Sequence, residues 1–295
     1  MTNARVQCSV VVLTLNEERN IAACLDSARQ FDDVHVVDSG STDTTVAIAE
    51  RLHARMAHNA FAGFGQQRNW SHDHLPLRHP WVMHLDADER MTPALAAEIA
   101  AAIRADDERY AGYFIAERTL LRGRWLRRAA MYPRYQARLV HRGRMRFADH
   151  GHGQREVSRL PFGTLANPYD HLAFSQGVEH WLRKHASYAA KEAAEFLKAP
   201  AGPLVAPLLT GTAVQRHRAL KRLGMLLPFR PLLRYLHVLF VKRGVLDGRA
   251  GWEYARMMRV YEEMIDLAIG EARDRRRAVQ APAERIAEHS AEAPK

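Results

Sequence analysis

The stretch that decides the fold is residues 10–18, which read Val-Val-Val-Leu-Thr-Leu-Asn-Glu-Glu. The continuous β-branched and apolar run from Val10 to Leu15 predicts a strand buried on both faces, as in a parallel sheet. Asn16 then predicts a helix N-cap, and Glu17 and Glu18 suit the positive end of the helix that follows. The stretch therefore predicts the first strand and helix of an α/β domain.

The same alternation continues along the chain. Val34 to Val37 and Trp81 to Leu85 predict two further short strands, each mostly apolar and containing one histidine. Thr92, followed by Pro93, predicts the start of the next helix, with Thr92 as its N-cap. Strands alternating with helices predict the α/β class, with a mostly parallel sheet flanked by helices and a ligand site at the carboxyl ends of the strands.

Three acidic side chains follow two of the predicted strands at the point where each strand ends. Asp38 ends the second strand, and Asp86 and Asp88 follow the third. Carboxylates two residues apart can reach one cation, and oxygen ligands suit Mg²⁺ or Mn²⁺ bridging a diphosphate. Each acid alone also fits a plain turn or a helix cap. Together they predict a metal and phosphate site at the edge of the sheet.

Four motifs, in this order, resemble the inverting family 2 glycosyltransferases, which have the GT-A fold. They are residues 11–18, Val-Val-Leu-Thr-Leu-Asn-Glu-Glu; residues 36–43, Val-Val-Asp-Ser-Gly-Ser-Thr-Asp; residues 65–69, Gly-Gln-Gln-Arg-Asn; and residues 85–89, Leu-Asp-Ala-Asp-Glu. The resemblance implies that the chain moves a sugar from a nucleoside-diphosphate sugar, and that it uses a divalent cation, Mg²⁺ or Mn²⁺.

The resemblance also implies roles for particular residues. The loop after Leu13 and the acid Asp38 would hold the nucleobase, and Asp88 would ligate the metal. The residues that it assigns to the nucleotide-sugar are Thr14, Leu15, Asn16, Glu17, Asp38, Arg68 and Asp86. His171 is a candidate metal ligand with Asp86 and Asp88, since imidazole is an acceptable ligand of Mn²⁺. The alternative for His171 is a buried histidine that is hydrogen-bonded within the domain.

The catalytic base that an inverting transfer needs is not assigned cleanly by the motifs. Many relatives carry a His-Glu pair where residues 149–156 of this chain read Asp-His-Gly-His-Gly-Gln-Arg-Glu. The candidates, in order, are Glu156, Asp149 and His152, because a positioned carboxylate or imidazole can accept the proton of an acceptor hydroxyl. The alternative for the histidines of this segment is a solvent-facing turn.

The later half resembles the subgroup that acts in lipopolysaccharide core and exopolysaccharide assembly. Its members carry a histidine before an aromatic-rich helix, similar to His171 followed by Trp181 and Tyr188. The resemblance implies a lipid-linked or anionic saccharide acceptor. We expect a catalytic domain at 1–172, with the donor site in about 6–117 and the acceptor side in about 118–172, then a helical, membrane-associating region at 173–270 and a disordered tail at 271–295.

The chain has 43 basic and 33 acidic residues and a net charge of +10, which favours a polyanionic partner. Residues 118–146 hold ten arginines and no acid, and such a run would repel itself unless anions were near. Residues 196–246 hold nine basic residues and no acid, interleaved with apolar runs too short to span a bilayer. This composition predicts an anchor on an anionic membrane surface, and we expect a cytoplasmic enzyme that is peripheral on the inner membrane.

Three other classes of protein fit less well. A dinucleotide-binding oxidoreductase is excluded because residues 14–19 lack the necessary glycines. A sugar-phosphate nucleotidyltransferase would need a Gly-rich loop at the same turn, and it is the alternative enzyme. A basic nucleic-acid-binding protein is the alternative outside enzymes, but interleaved aromatics or a recognition helix are not evident, so no nucleic acid partner is expected.

Cys8 and Cys24 lie inside a predicted strand and helix, which favours a reducing compartment without a disulfide or zinc site.

Overall fold

A computed structural model of the chain describes residues 5–105, 108–150, 153–198, 209–210 and 212–291. The chain divides into two compact units, Met1–Gln176 and Gly177–Lys295, and each is described here by itself. Within the described residues, the first unit holds strands and helices in alternation, and the second unit is helical.

The first unit follows the predicted α/β pattern. Its strands are β1 (Val6–Thr14), β2 (Phe31–Asp38), β3 (Arg55–His58), β4 (Trp81–Asp86), β5 (Glu89–Arg90), β6 (Gly112–Leu121), β7 (Arg124–Trp125), β8 (Arg134–His141), β9 (Met145–His150), β10 (Gly153–Ser158), β11 (Phe162–Thr164) and β12 (Tyr169–His171). Its helices are α1 (Ile21–Ala28), α2 (Thr45–Arg51), α3 (Phe64–His74) and α4 (Pro93–Arg104).

One ten-stranded sheet has the order β3-β2-β1-β4-β8-β6-β12-β5, with β7 and β11 also paired to β6. The first four strands are parallel, as the sequence predicts for β2, β1 and β4, and β8 pairs antiparallel with both β4 and β6. β12 pairs parallel with β6 and antiparallel with β5, while β9 and β10 form a separate antiparallel hairpin. The architecture is therefore a GT-A-like mixed sheet flanked by helices.

The first strand is buried on both faces, which explains its unbroken apolar run. Val10 and Val12 belong to one cluster, together with Leu95 of α4. Val11 belongs to a second cluster, together with Phe147 of β9. Because successive side chains of a strand point to opposite faces, a strand covered on both sides needs apolar residues at every position.

The two predicted helix caps have different outcomes. Thr92 caps α4 as predicted, since its side chain accepts a hydrogen bond from Leu95 N at 3.2 Å and Pro93 is the first helical residue. Asn16 is not an N-cap, because its φ is 55° and α1 begins only at Ile21. Asparagine tolerates this left-handed backbone, and its side chain bonds across the loop instead.

The second unit is built from helices. They are α5 (Val178–Lys198), α6 (Ala213–Leu226), α7 (Arg230–Leu236) and α8 (Gly248–Ala291), with a π-helix at His237–Val241 and a 3₁₀-helix at Gly244–Asp247. Ala189 and Ala193 of α5 pack in one buried cluster with Ile265 and Ile269 of α8. These residues recur at helical spacing, so each helix presents one apolar stripe to the other.

The helices also bear on two expectations about the C-terminal region. Among the described residues, no helix combines the length and the apolar character that crossing a bilayer requires. The disorder expected of residues 271–295 stays a prediction: α8 extends through this stretch to Ala291, and residues 292–295 lie outside the described residues. The alanine, glutamate and arginine content of this part of α8 favours a helix, and Arg275 pairs with Glu271 one turn earlier.

Candidate functional site

The carboxyl ends of β1, β2 and β4 lie side by side. In register, Thr14 lies opposite Asp38, and Leu13 lies opposite Asp86. The backbone amide of the residue after each acid donates to β1, at 3.0 Å in both cases. Thr14 is buried at this edge, its Oγ1 has no hydrogen-bond partner among the described residues, and Leu15 beyond it is 49% exposed. The structure thus collects these residues where open α/β sheets bind ligands.

The loop after β1 is hydrogen-bonded to the turn after β2. Asn16 N donates to Ser41 Oγ at 2.8 Å, and Asn16 Oδ1 accepts from Thr42 N at 2.8 Å. Glu17 N donates to Thr45 Oγ1, also at 2.8 Å. Because side chains satisfy these backbone groups, the two segments have one fixed arrangement along the edge of the sheet.

Both oxygens of Asp38 are engaged by the turn that follows β2. Oδ2 accepts from Gly40 N and Ser41 N at 2.9 Å each, and Oδ1 accepts from Ser41 Oγ at 2.5 Å. Burial alone would raise the pKa of Asp38, but these hydrogen bonds outweigh burial and hold the pKa below its ordinary value. Asp38 therefore orders the turn, as the plainer interpretation of the sequence expects.

Asp86 lies between two buried arginines. Arg68 Nη2 is 3.2 Å from Asp86 Oδ1, and Arg138 Nη2 is 3.0 Å from Asp86 Oδ2. Arg138 also pairs with buried Glu89, whose other oxygen accepts from Asp86 N at 2.9 Å. Burial alone would raise the pKa of Asp86, but the two guanidinium groups outweigh it and hold the pKa well below its ordinary value. Both Asp86 oxygens thus contact arginines, which compete with a metal ion for them.

His171 joins Asp88 to Glu117. Its Nε2 is 3.2 Å from Asp88 Oδ2, and its Nδ1 is 2.7 Å from Glu117 Oε1. Burial disfavours the charged imidazole, but hydrogen bonds and charges from the two carboxylates outweigh burial and raise the pKa of His171 well above its ordinary value. His171 is therefore hydrogen-bonded within the domain, as the alternative from the sequence expects, and it shares Asp88 with any cation bound there.

The groups around Asp88 fit a divalent cation that is shared with a diphosphate. Within the described part of the chain, no group of three or more His, Cys, Asp or Glu side chains can hold a metal ion. Mg²⁺ is usually held by one or two carboxylates together with substrate phosphates, so a complete protein cage is not needed. His171 would have to lose its proton to act as a ligand, so metal binding through it would release a proton.

Glu117 is the buried carboxylate on which several polar groups converge. Besides His171, it accepts hydrogen bonds from Thr119 Oγ1 at 2.8 Å, from Gln136 Nε2 at 3.1 Å and from Arg134. Burial alone would raise the pKa of Glu117, but His171 and Arg134 outweigh it and hold the pKa well below its ordinary value. Glu117, in the middle of β6, therefore holds His171, and His171 in turn positions Asp88.

The arginine-rich segment is less free to bind anions than its composition predicts. At least four of its ten arginines pair with carboxylates that lie elsewhere in the described part of the chain. These pairs are Arg118 with Asp170, Arg134 with Glu117, Arg138 with Asp86 and Glu89, and Arg146 with Asp73. The absence of acids between residues 118 and 146 therefore does not mean an absence of partners, because the fold supplies acids from β4, β5, β6, β12 and α3.

The hairpin of β9 and β10 carries the candidate bases. Asp149 Oδ1 accepts from Gly65 N at 2.8 Å, and Oδ2 accepts from Gln66 Nε2 at 2.8 Å, so its carboxylate is engaged at the start of α3. Glu156 lies opposite Phe147 in register, and directly opposed residues project from the same face of a hairpin. Since Phe147 is buried, Glu156 lies on the inward face. His152 lies outside the described residues.

Three residues that organise the site were not singled out from the sequence. Arg138 and Glu117 are buried charges inside strands, and Asn69 closes the third motif without an assigned role. An arginine within the apolar run Ala137 to Val140 is the signal that marks a buried ion pair, because such a charge needs a partner. The partner itself is distant in sequence, and no local pattern indicates it.

Replacing Glu117 with glutamine tests the charged contact with His171. The lowered pKa of Glu117 adds to the free energy of unfolding above its ordinary value of 4.5 and is lost as pH falls. The raised pKa of His171 adds stability below its ordinary value of 6.5, which is lost as pH rises through the raised value. Glu117→Gln should therefore lower the free energy of unfolding by about 3 kcal/mol at pH 6 and by clearly less at pH 2, because the contribution of the charge is lost only as pH falls through the lowered pKa of Glu117.

Urea unfolding at the two pH values measures this difference. Asp26→Asn, at an exposed ion pair with Arg29, is the control and should change the free energy little at either pH. An equal loss at pH 6 and pH 2 would show that Glu117 contributes by packing and not by charge.

Comparison with known proteins gives partial matches to glycosyltransferases. LpsC of Rhizobium meliloti, a lipopolysaccharide core biosynthesis glycosyltransferase, is 28% identical over 148 residues, which are 48% of this chain and 54% of LpsC. An uncharacterized glycosyltransferase of Rickettsia conorii is 35% identical over 109 residues, 36% of this chain and 38% of that protein. The chain thus spans about half the length of these curated relatives, or less.

Solved structures give partial matches of low similarity. S. aureus TarS, residues 1–349, has a TM-score of 0.42 and 16% identity and covers 87% of this chain and 90% of its own. Glucosyl-3-phosphoglycerate synthase from Mycobacterium tuberculosis, in complex with Mn²⁺, UDP and glucosyl-3-phosphoglycerate, has a TM-score of 0.33 and 23% identity, over 39% of this chain and 44% of that one.

The family model described as glycosyl transferase family 2 matches residues 9–157. This match covers half of the chain and includes β1 from Ser9, the turn after β2, the Asp86 and Asp88 segment, and the hairpin of β9 and β10 up to Val157. The nucleotidyltransferase and nucleic-acid-binding alternatives are thereby set aside. The chain belongs to glycosyl transferase family 2, and its fold is GT-A-like.

Proposed function

We propose that this glycosyltransferase moves a sugar, with inversion, from a nucleoside-diphosphate sugar to a saccharide acceptor, with a divalent cation at Asp88. The observation that carries the proposal is that Thr14, Asp38 and Asp86 lie together at one edge of the sheet. Asp88 follows Asp86 by two residues and pairs with His171. A nucleotide along this edge would place its base at the turn after β2 and its diphosphate at Asp88.

The proposed donor site is formed by the loop after β1, by the turn after β2, and by the ion pair of Arg68 with Asp86. The residues that we assign to the nucleotide-sugar are Thr14, Leu15, Asn16, Glu17, Asp38, Arg68 and Asp86. Hydrogen bonds between the loop after β1 and the turn after β2 support this assignment, because they hold both segments in place before any ligand binds. Arg68 and Arg138 hold Asp86, whose side chain is still 29% exposed and could accept a further hydrogen bond from a ribose hydroxyl.

Asp88 and His171 are the metal ligands that we propose, with Asp86 as a further candidate. When bound, Mg²⁺ or Mn²⁺ offsets the negative charge that develops on the leaving diphosphate. Asp88 is the better ligand of the two aspartates, since its partner His171 can lose a proton, whereas the partners of Asp86 are arginines, which keep their charge.

Glu156 is the general base that we propose for the acceptor hydroxyl. It lies on the inward face of the hairpin, whereas the carboxylate of Asp149 is engaged by Gly65 and Gln66. A carboxylate on this face can take the proton as the hydroxyl attacks the anomeric carbon, while the nucleoside diphosphate leaves.

A lipid-linked saccharide of lipopolysaccharide or exopolysaccharide is the acceptor that we propose. The match to LpsC supports this class of acceptor. Exposed Arg124 and Arg127, the latter 5.4 Å from the ring of Trp125, offer positive charge beside an aromatic surface, which suits a sugar that carries phosphate or carboxylate.

The second unit would bring the enzyme to such an acceptor at the inner face of the cytoplasmic membrane, as a peripheral protein. Large apolar side chains are exposed in the segment expected to be an anchor, and they include Leu209, Phe229, Phe240, Val241 and Leu246. Not all of its cations are available to lipid. Arg230 is buried and pairs with Glu262 and Asp266 of α8, and Arg234 also contacts Glu262. Apolar insertion would therefore contribute more than the composition predicts.

Asp88→Asn tests the metal site. In the wild type, Mn²⁺ should strengthen the binding of one of a panel of nucleoside diphosphates, measured by calorimetry, whereas in Asp88→Asn the Mn²⁺-dependent part of the affinity should be lost. The control Asp73→Asn removes an exposed acid of α3 and should bind as the wild type does. Binding that depends equally on Mn²⁺ in Asp88→Asn would rule out Asp88 as a ligand.

Glu156→Gln tests the base. The amide keeps the shape of the side chain but cannot accept the proton, so turnover should fall by about 10² to 10⁴ while donor affinity stays unchanged. Steady-state kinetics with varied donor and saturating acceptor give the turnover, and calorimetry with the donor nucleotide gives the affinity. Turnover at the wild-type rate would remove Glu156 from the mechanism.

Phe229→Ser combined with Phe240→Ser tests the membrane surface, because both rings are exposed, at 78% and 59%. Sedimentation with anionic vesicles should show binding by the wild type that falls with salt, and clearly weaker binding by the double variant. Leu52→Ser, at a side chain of the first unit that is 50% exposed, is the matched control. Equal binding of the wild type to neutral and anionic vesicles would contradict an anionic surface.

A further inference from the structure

Asn69 of α3 pairs with the backbone of β9 as a neighbouring strand would. Asn69 Nδ2 donates to Phe147 O at 2.8 Å, and Phe147 N donates to Asn69 Oδ1 at 3.0 Å. One side-chain amide thus satisfies both backbone groups of a buried residue, which would otherwise be costly to leave unpaired. The hairpin is fixed to α3 at this point.

A second attachment lies two residues further along the hairpin. Asp149 accepts from Gly65 N in the first turn of α3 and from the side chain of Gln66. A carboxylate is favourable at a helix N-terminus, where backbone amides have no partner within the helix. The approach is close, since a Cβ added at Gly63 would lie 2.5 Å from Asp149 Oδ2. Asp149 and Asn69 together form what we call the hairpin latch.

The latch determines what lies next to Arg68. The ring of Phe147 lies 5.7 Å from the Arg68 guanidinium carbon, and Arg68 in turn contacts Asp86. Arg68 is buried, so its position depends on these neighbours. Glu156, opposite Phe147 in the hairpin, is fixed by the same attachment.

We propose that Asn69 and Asp149 are positioning residues, which hold the hairpin on α3 and thereby set Arg68 against Asp86 and Glu156 towards the site. Asp149 then acts through hydrogen bonds and not as a base. This inference rests on the proposed function only for its activity readout, because the attachment of the hairpin can be measured without any substrate.

The experiment compares Asn69→Ala, Asp149→Ala, Asp149→Asn and Gly63→Ala by hydrogen exchange, by nucleoside diphosphate binding with Mn²⁺, and by turnover. Asp149→Asn keeps an oxygen for Gly65 N, and its NH₂ group can donate to the side-chain oxygen of Gln66. Gly63→Ala inserts a methyl group against Asp149 without removing any polar group. Gly143→Ala is the control, because a Cβ there meets its nearest neighbour at 3.5 Å, an ordinary contact.

In Asn69→Ala, Asp149→Ala and Gly63→Ala, amide exchange in residues 145–150 and 153–158 should rise about fivefold or more, with β1 as the internal control for unfolding. The same variants should bind diphosphate more weakly and turn over more slowly. Asp149→Asn and Gly143→Ala should match the wild type in all three measurements.

Two results would overturn the latch. One is unchanged exchange in Asn69→Ala and Asp149→Ala. The other is an Asp149→Asn variant that is as inactive as Asp149→Ala while its hairpin stays protected, since Asp149 would then act on the reaction itself. If the wild type binds no nucleoside diphosphate, the proposed function fails, but the exchange measurements still decide whether the latch exists.

Discussion

Arg138 lies buried between Asp86 and Glu89, and the arrangement of the sheet edge depends on this contact. Removing a guanidinium from water costs several kcal/mol unless partners surround it, so the two carboxylates and the arginine stabilise one another only when all are in place. Arg138 also lies 5.3 Å from the ring of Tyr169. One side chain of β8 thus contacts β4, β5 and β12, and it joins the parallel part of the sheet to the antiparallel part.

The features that were predictable from the sequence are those set by neighbours along the chain. The apolar run of β1 requires burial on both faces, and Thr92 followed by Pro93 specifies a helix start by hydrogen bonding and by backbone geometry. The position of Asp38 and Asp86 on either side of β1 follows from parallel pairing, once each acid ends its strand. These local rules give the fold class and the edge on which the candidate site lies.

The features that were not predictable depend on partners far apart in sequence. The arginines of residues 118–146 resemble a surface for anions until Asp170, Glu117 and Asp73 are seen beside them. Asn16 has the composition of a helix cap, yet its side chain bonds to the turn after β2, 26 residues away. In both cases, tertiary contacts outweighed the pattern that was used for the prediction.

The distribution of charge at the sheet edge separates the acids into two kinds. Asp86 and Glu89 share Arg138, and Glu117 is paired with Arg134 as well as with His171, so each contacts an arginine, which does not lose its proton at physiological pH. Asp88 differs, because its ion-pair partner is His171, and a histidine can become neutral. A divalent cation that displaced the proton of His171 would leave no arginine without its carboxylate. Among these four acids, Asp88 is therefore the position at which a cation can enter with the least disturbance of the buried ion pairs that hold the sheet together.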